Sequence, residues 1–150
     1  MKLAFKHAGR SWLEWAIALH DEPKTFCHVE IIFSDGVAFS AQYGEGVRFV
    51  KNLDTSRGWW KVPLAVSAEE EQTVRQWCES HAGGRYDVPG VLAFKIPFIR
   101  QAMGAWFCSE ICSTALQQIG MFSDLKPHRL SPNALFLHTL RYEPRAQLQP

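Results

Sequence analysis

The sequence has no stretch approaching the ~18 consecutive apolar residues of a membrane span. It has no block of basic residues that could track phosphates: sixteen Lys and Arg stand against fifteen Asp and Glu, for a formal charge of +1. A nucleic-acid partner and a membrane span are therefore not expected. There is no CxxC pair of the kind that holds structural zinc, no internal repeat and no low-complexity block. The start, Met1-Lys2-Leu3-Ala4-Phe5-Lys6-His7, has neither a continuous apolar segment nor a small-residue cleavage site. It does not read as a secretory signal, so the default expectation is the cytoplasm. Four cysteines in a chain with no such signal are expected to be free thiols rather than a disulfide framework.

What is present fits one domain. The 150 residues are 47% hydrophobic and 21% charged, enough to bury roughly 70% of the unfolded surface. The clearest strand is Phe26 to Phe33 (FCHVEIIF), with large apolar residues on both faces, as in an inner strand. Cys27, Val29, Ile31 and Phe33 line one face; Phe26, His28, Glu30 and Ile32 line the other. Ser34-Asp35-Gly36 reads as a hairpin turn into a strand from Val37 to about Tyr43. Gly44-Glu45-Gly46 interrupts that strand, which Val47 to Val50 resumes. Trp60 to Val66 is a further strand, put at an edge or bulge by Pro63.

Ser67-Ala68-Glu69-Glu70 is a capping box that opens a helix ended by Gly83-Gly84. A second helix runs from Cys108 to Ile119 and stops at Gly120. A third opens at Ser131-Pro132 and runs to about Leu140. The segment Ser11 to His20 reads as a short helix or a strand-like cover, Asp21 to Lys24 as a turn, and Val91 to Ile99 as an apolar stretch broken by Pro97. Residues 143–150 read as a mobile tail. The expected class is α+β, an antiparallel sheet covered by helices.

Reactive cysteine chemistry needs a thiolate, and a helix N-terminus or a nearby imidazole favours one. Cys108 opens a helix, whose unpaired N–H groups attract an anion and can hold an oxyanion. Cys108, Ile111, Cys112, Ala115, Leu116 and Ile119 also form one apolar stripe, which by itself reads as core. The first residue of that stripe would still face the sheet, where a polar residue could meet it. His28 is the candidate, since a histidine inside a strand that is apolar on both faces needs a partner.

A third group should orient His28. A three-residue turn with Gly36 left-handed sets Glu30 opposite Ser40 and His28 opposite Gln42. A two-residue Asp-Gly turn sets Glu30 opposite Ala41 and His28 opposite Tyr43, with Ser40 pointing away. Glu30, Ser40 and Gln42 all stay open. Trp59-Trp60 could line a substrate groove or pack in the core. A metal site from Cys27, His28, Cys108 and Cys112 is not expected, because Cys27 and His28 alternate across the strand.

These residues carry a resemblance. His28-Val29-Glu30-Ile31-Ile32-Phe33, then Phe39-Ser40-Ala41 and Gly46-Val47, with Phe107-Cys108-Ser109-Glu110 far downstream, resembles the circularly permuted branch of the NlpC-like cysteine hydrolases. The YiiX-like group is the nearest; the lecithin-retinol acyltransferases are more distant. Gly84-Arg85-Tyr86-Asp87 is similar to the family's Tyr-Asp segment, and Ser131-Pro132 to the start of its last helix. The resemblance spans roughly residues 26–140. It implies a permuted papain-like core, Cys108 as nucleophile, His28 as base, no cofactor, and acyl transfer through a thioacyl-enzyme. It also implies a peptide, a peptidoglycan stem-peptide amide or a lipid ester as substrate. A wall substrate would require delivery by a phage or a specialised system. The group tends to carry glutamate where Ser40 stands and a small residue where Glu30 stands, so Glu30 is expected to supply the carboxylate from the neighbouring position. The competing readings are a catalytically idle papain-like binding module and a structural or assembly protein.

Overall fold

The computed structural model describes residues 1–9, 25–87, 105–142 and 146. The expectations for Ser11 to His20, for the turn at Asp21 to Lys24, for Val91 to Ile99 and for nearly all of the tail lie outside them.

Five strands form one antiparallel sheet: β1 (Lys2–His7), β2 (Phe26–Ile32), β3 (Ala38–Gln42), β4 (Gly46–Val50) and β5 (Trp59–Pro63), in the spatial order β4-β3-β2-β1-β5. A short parallel pair, β6 (Arg85–Tyr86) and β7 (Ala105–Trp106), forms a second sheet beside β3 and β4. Among the described residues the helices are α1 (Ala68–His81), α2 (Cys108–Gln117) and α3 (Pro132–Tyr142), with a 3₁₀ turn at Pro127–Arg129. The class is α+β, as the sequence implied.

β1 was not anticipated, although its signal is present. Lys2, Leu3, Ala4, Phe5 and Lys6 alternate, and Leu3 and Phe5 are fully buried. β1 lies between β2 and β5, pairing Lys6 with His28 and Ala4 with Glu30 on one side, and Ala4 with Lys61 on the other. β5 is an edge strand, as Pro63 required.

The chain does not resume a single strand after Gly44-Glu45-Gly46. It reverses there, so that β4 returns along β3 with Gln42 opposite Gly46 and Ser40 opposite Arg48. Left-handed glycines make the reversal possible: Gly44 has φ +84° and Gly46 has φ +76°. A β-carbon on Gly46 would lie 2.5 Å from the carbonyl oxygen of Gly84, so β4 and the segment after α1 approach backbone to backbone.

α2 packs on the side of the sheet formed by Val29, Ile31, Leu3, Phe5, Phe39, Ala41 and Val62. It contributes Cys108, Ile111, Cys112, Ala115 and Leu116, the stripe expected from the sequence; Ile119 is only partly buried. Each large side chain of this kind contributes about 1.5–3 kcal/mol on full burial. A smaller layer of Ala4, Ile32 and Ala38, covered by Val50, Leu53 and Trp59, lies on the other side.

The helix starts follow the expected capping. Ser67 and Glu70 complete the capping box of α1. Ser131 Oγ accepts from Ala134 N–H at 3.0 Å, and α3 continues to Tyr142, two residues past the expected end. Asn133 of α3 clamps the start of β2. Its Oδ1 accepts the Phe26 N–H at 2.8 Å, and its Nδ2 donates to the Phe26 carbonyl at 3.3 Å.

Candidate active site

The β2–β3 turn decides which groups can reach His28. Phe33 N–H donates to the Val37 carbonyl at 2.9 Å, and Gly36, at φ +84°, sits in the three-residue loop between them. The ladder pairs Ile32 with Ala38 and Ile31 with Phe39. This is the three-residue alternative, and its offset sets Glu30 beside Ser40. Past these two pairs the Val29 carbonyl accepts from the Ser40 hydroxyl at 2.7 Å and from the Cys112 thiol at 3.7 Å. The start of α2 approaches the sheet at this point.

Cys108 is the first residue of α2 and is 3% exposed. Phe107, its N-cap, supplies no side-chain cap, so the helix end keeps its partial positive charge. His28 lies in hydrogen-bonding and electrostatic contact with Cys108. By strand alternation His28 belongs to the Glu30 side, where its ring meets that of Trp59 at 6.1 Å.

The third group is close. His28 Nε2 is 2.9 Å from Glu30 Oε1, which leaves Nδ1 as the nitrogen for Cys108. Glu30 in turn receives Arg48, with Nη2 at 2.8 Å from Oε1 and Nη1 at 3.3 Å from Oε2. Arg48 Nε donates to Glu45 at 2.9 Å, and Nη1 also reaches the Ser40 carbonyl at 3.4 Å. A chain of contacts runs Cys108–His28–Glu30–Arg48–Glu45.

The electrostatics follow. Burial pulls the imidazole pKa down, but the charge and hydrogen bond of Cys108, then those of Glu30, outweigh it and raise His28 from 6.5 to about 9. Burial pushes the Glu30 carboxyl up, but the His28 and Arg48 bonds outweigh it and hold the group below the usual carboxylate range. The other thiols differ. Burial pushes both Cys78 and Cys112 far up, and Cys27 rests against the carbonyls of Lys6 and His7.

Of the expected orienting groups, the structure brings Glu30 to His28. Ser40 is buried one strand away with its hydroxyl committed to the Val29 carbonyl. No side-chain bond from Gln42 to His28 is found among the described residues. Of the other described histidines, His7 packs on Phe26, His81 stacks on Trp77, His138 pairs with Asp124, and His128 is exposed. Trp59 borders the site, whereas Trp60 packs against Phe136 and is half exposed. An open cleft of about 370 Å³ lies between the β3–β4 turn and the segment after α1, lined by Tyr43, Gly44, Glu45, Gly84, Arg85 and Tyr86. Burial, then the Cys108 charge, raises the Tyr86 phenol well above its ordinary value.

No family description and no curated protein matches the sequence. Among solved structures, the crystal structure of the metalloprotein YiiX from Escherichia coli O157:H7 is similar, with a TM-score of 0.66 over 99% of this chain and 94% of that one, at 15% identity. The fold is YiiX-like. Within it, Arg48 is the residue that sequence reasoning missed. Its link to Glu30 depends on the β3–β4 reversal, and an isolated arginine in GVRFV carries no local signal. No described helix of the YiiX-like fold is long and apolar enough to cross a membrane.

Proposed function

We propose that the protein is a cysteine hydrolase or related acyl-transfer enzyme of permuted papain-like type, with Cys108 as nucleophile, His28 as base and Glu30 as the group that orients it. The observation that carries this proposal is the contact of a helix-opening thiol with an imidazole whose far nitrogen is held by an ionised carboxylate. Those are the requirements of nucleophilic catalysis. His28 Nδ1 takes the thiol proton, and the thiolate attacks an amide or ester carbonyl. The N–H groups at the start of α2 hold the oxyanion, and the imidazolium protonates the leaving group. Water then releases the acid from the thioacyl-enzyme. The cleft beside Tyr86 is the place for the acyl or peptidyl portion of the substrate, and the class remains peptide, stem-peptide amide or lipid ester.

The structural neighbour carries the word metalloprotein in its title. Here no group of three or more His, Cys, Asp or Glu side chains that could hold a metal ion occurs among the described residues. Glu30 is engaged by His28 and Arg48. The described residues around Cys108 do not fit a metal centre.

The test is the rate of iodoacetamide labelling against pH, with sites assigned by mass spectrometry, in wild type and His28→Ala. Cys108 labels near pH 6 far faster than Cys27, Cys78 and Cys112, and slows greatly without His28. Labelling of Cys108 no faster than the other three would reject the enzyme in favour of a binding or assembly module.

A further inference from the structure

We propose that Arg48 is a positioning residue for the Cys108–His28 pair: its two-pronged bond to Glu30 keeps that carboxylate ionised and aimed at His28 Nε2. This rests on the function proposed above and extends it to a residue on a strand that touches neither the thiol nor the imidazole. Three observations carry it. The guanidinium meets both oxygens of Glu30, at 2.8 and 3.3 Å. Its position is fixed independently, by Glu45 at 2.9 Å on one side and by the Ser40 carbonyl on the other. Glu30 is fully buried and Arg48 stands opposite Ser40 on β4, so the cation closes a row that the sheet register builds.

The chemistry follows from burial. A carboxylate out of water holds its charge only with partners. Without Arg48, Glu30 would face only His28, and the buried pair could neutralise by passing one proton across. The imidazole would then be neutral, and a thiolate at Cys108 would lose its counter-charge. Arginine suits this position because its planar fork spans both carboxylate oxygens, whereas lysine offers a single point of charge.

The other charged or titratable groups around the pair come from every neighbouring element. Lys6 stands opposite His28 on β1, and Lys61 lies beyond Ala4 in the row of Glu30 on β5. Cys108 and Cys112 come from α2, Tyr86 from β6, and Glu45 lies behind Arg48. Lys61 is exposed and sits by Asp54, so Lys61→Met removes one unit of positive charge from the same row without touching Glu30.

Two profiles test the proposal in the full chain: the NMR titration of the His28 imidazole and the pH midpoint of Cys108 alkylation. Arg48→Met is expected to move the His28 titration down by at least about one unit, and the alkylation midpoint upward in step. Arg48→Lys should give a smaller shift of the same sign, and Lys61→Met none. Failure of Cys78 and Cys112 to label reports that the variants keep their core. Unchanged profiles in Arg48→Met, or an equal shift in Lys61→Met, would overturn the role. Should Arg48→Met fail to fold, Arg48→Lys decides: profiles identical to wild type reject the fork. Wild-type Cys108 labelling that ignores His28 would defeat the catalytic pair itself, an outcome visible before any Arg48 variant is made.

Discussion

Replacing Glu30 with glutamine keeps the shape of the side chain and removes its charge from a site with almost no access to water. The wild-type carboxylate receives three bonds, from His28 at 2.9 Å and from Arg48 at 2.8 and 3.3 Å. Hydrogen bonds to charged groups contribute about 1.5–3 kcal/mol each, and breaking a buried ion pair from one side costs about 3–5 kcal/mol. Two features reduce the loss. The amide oxygen still accepts one bond, and Arg48 keeps Glu45 and is partly exposed, so its charge is not stranded. The expected cost is about 2 kcal/mol at pH 7, or a fall of about 4–8 °C in Tm for a domain of this size. The sign of the pH dependence is fixed. Because the folded carboxyl is held below its ordinary value of 4.5, the wild-type advantage is present above that value and is lost as pH falls through the lower folded one. Urea denaturation of both proteins at pH 7 and at pH 4 measures the gap. A Glu30→Gln protein as stable as wild type at pH 7, or a gap that widens at pH 4, would refute the ion-pair account.

Ser40→Ala leaves the Val29 carbonyl without its 2.7 Å hydroxyl partner. It should cost about 1–2 kcal/mol in chemical denaturation while the Cys108 labelling profile stays where it was. Full activity in Glu30→Gln with loss in Ser40→Ala would reverse the assignment of the orienting group. Gly46→Ala drives a methyl to 2.5 Å from the Gly84 carbonyl at a left-handed backbone position. A loss of about 2 kcal/mol or more is expected by thermal unfolding.

Much of this architecture could be read from residue pattern, because its signals are local. The capping box at Ser67, the glycine stop at Gly120 and the Ser131-Pro132 start each act within one helical turn. The two-sided burial of β2 was written in FCHVEIIF. The signal of β1 is short, two large apolar residues, Leu3 and Phe5, set among Lys2, Ala4 and Lys6, and it does not stand out from a polar leader. Reading Gly44-Glu45-Gly46 as an interruption concealed the return of β4, and with it Arg48. Glu30 shares the His28 face whatever the turn, whereas the places of Ser40 and Gln42 hung on the backbone at Gly36, which no composition or spacing reveals. The contact between Cys108 and His28 joins a helix start to a strand 80 residues earlier, and no local pattern carries a contact of that range.

The clamp between Asn133 and Phe26 joins positions 107 residues apart. Contacts of such separation form late, since a long loop must close before they repay its entropy. The strand that bears His28 is thus pinned at its start only when α3 docks. A chain still leaving the ribosome has already made Cys108 and His28, yet β2 lacks the clamp at its start. In a nascent chain the β2 segment therefore exists before its anchor, and the docking of α3 completes the seat of His28.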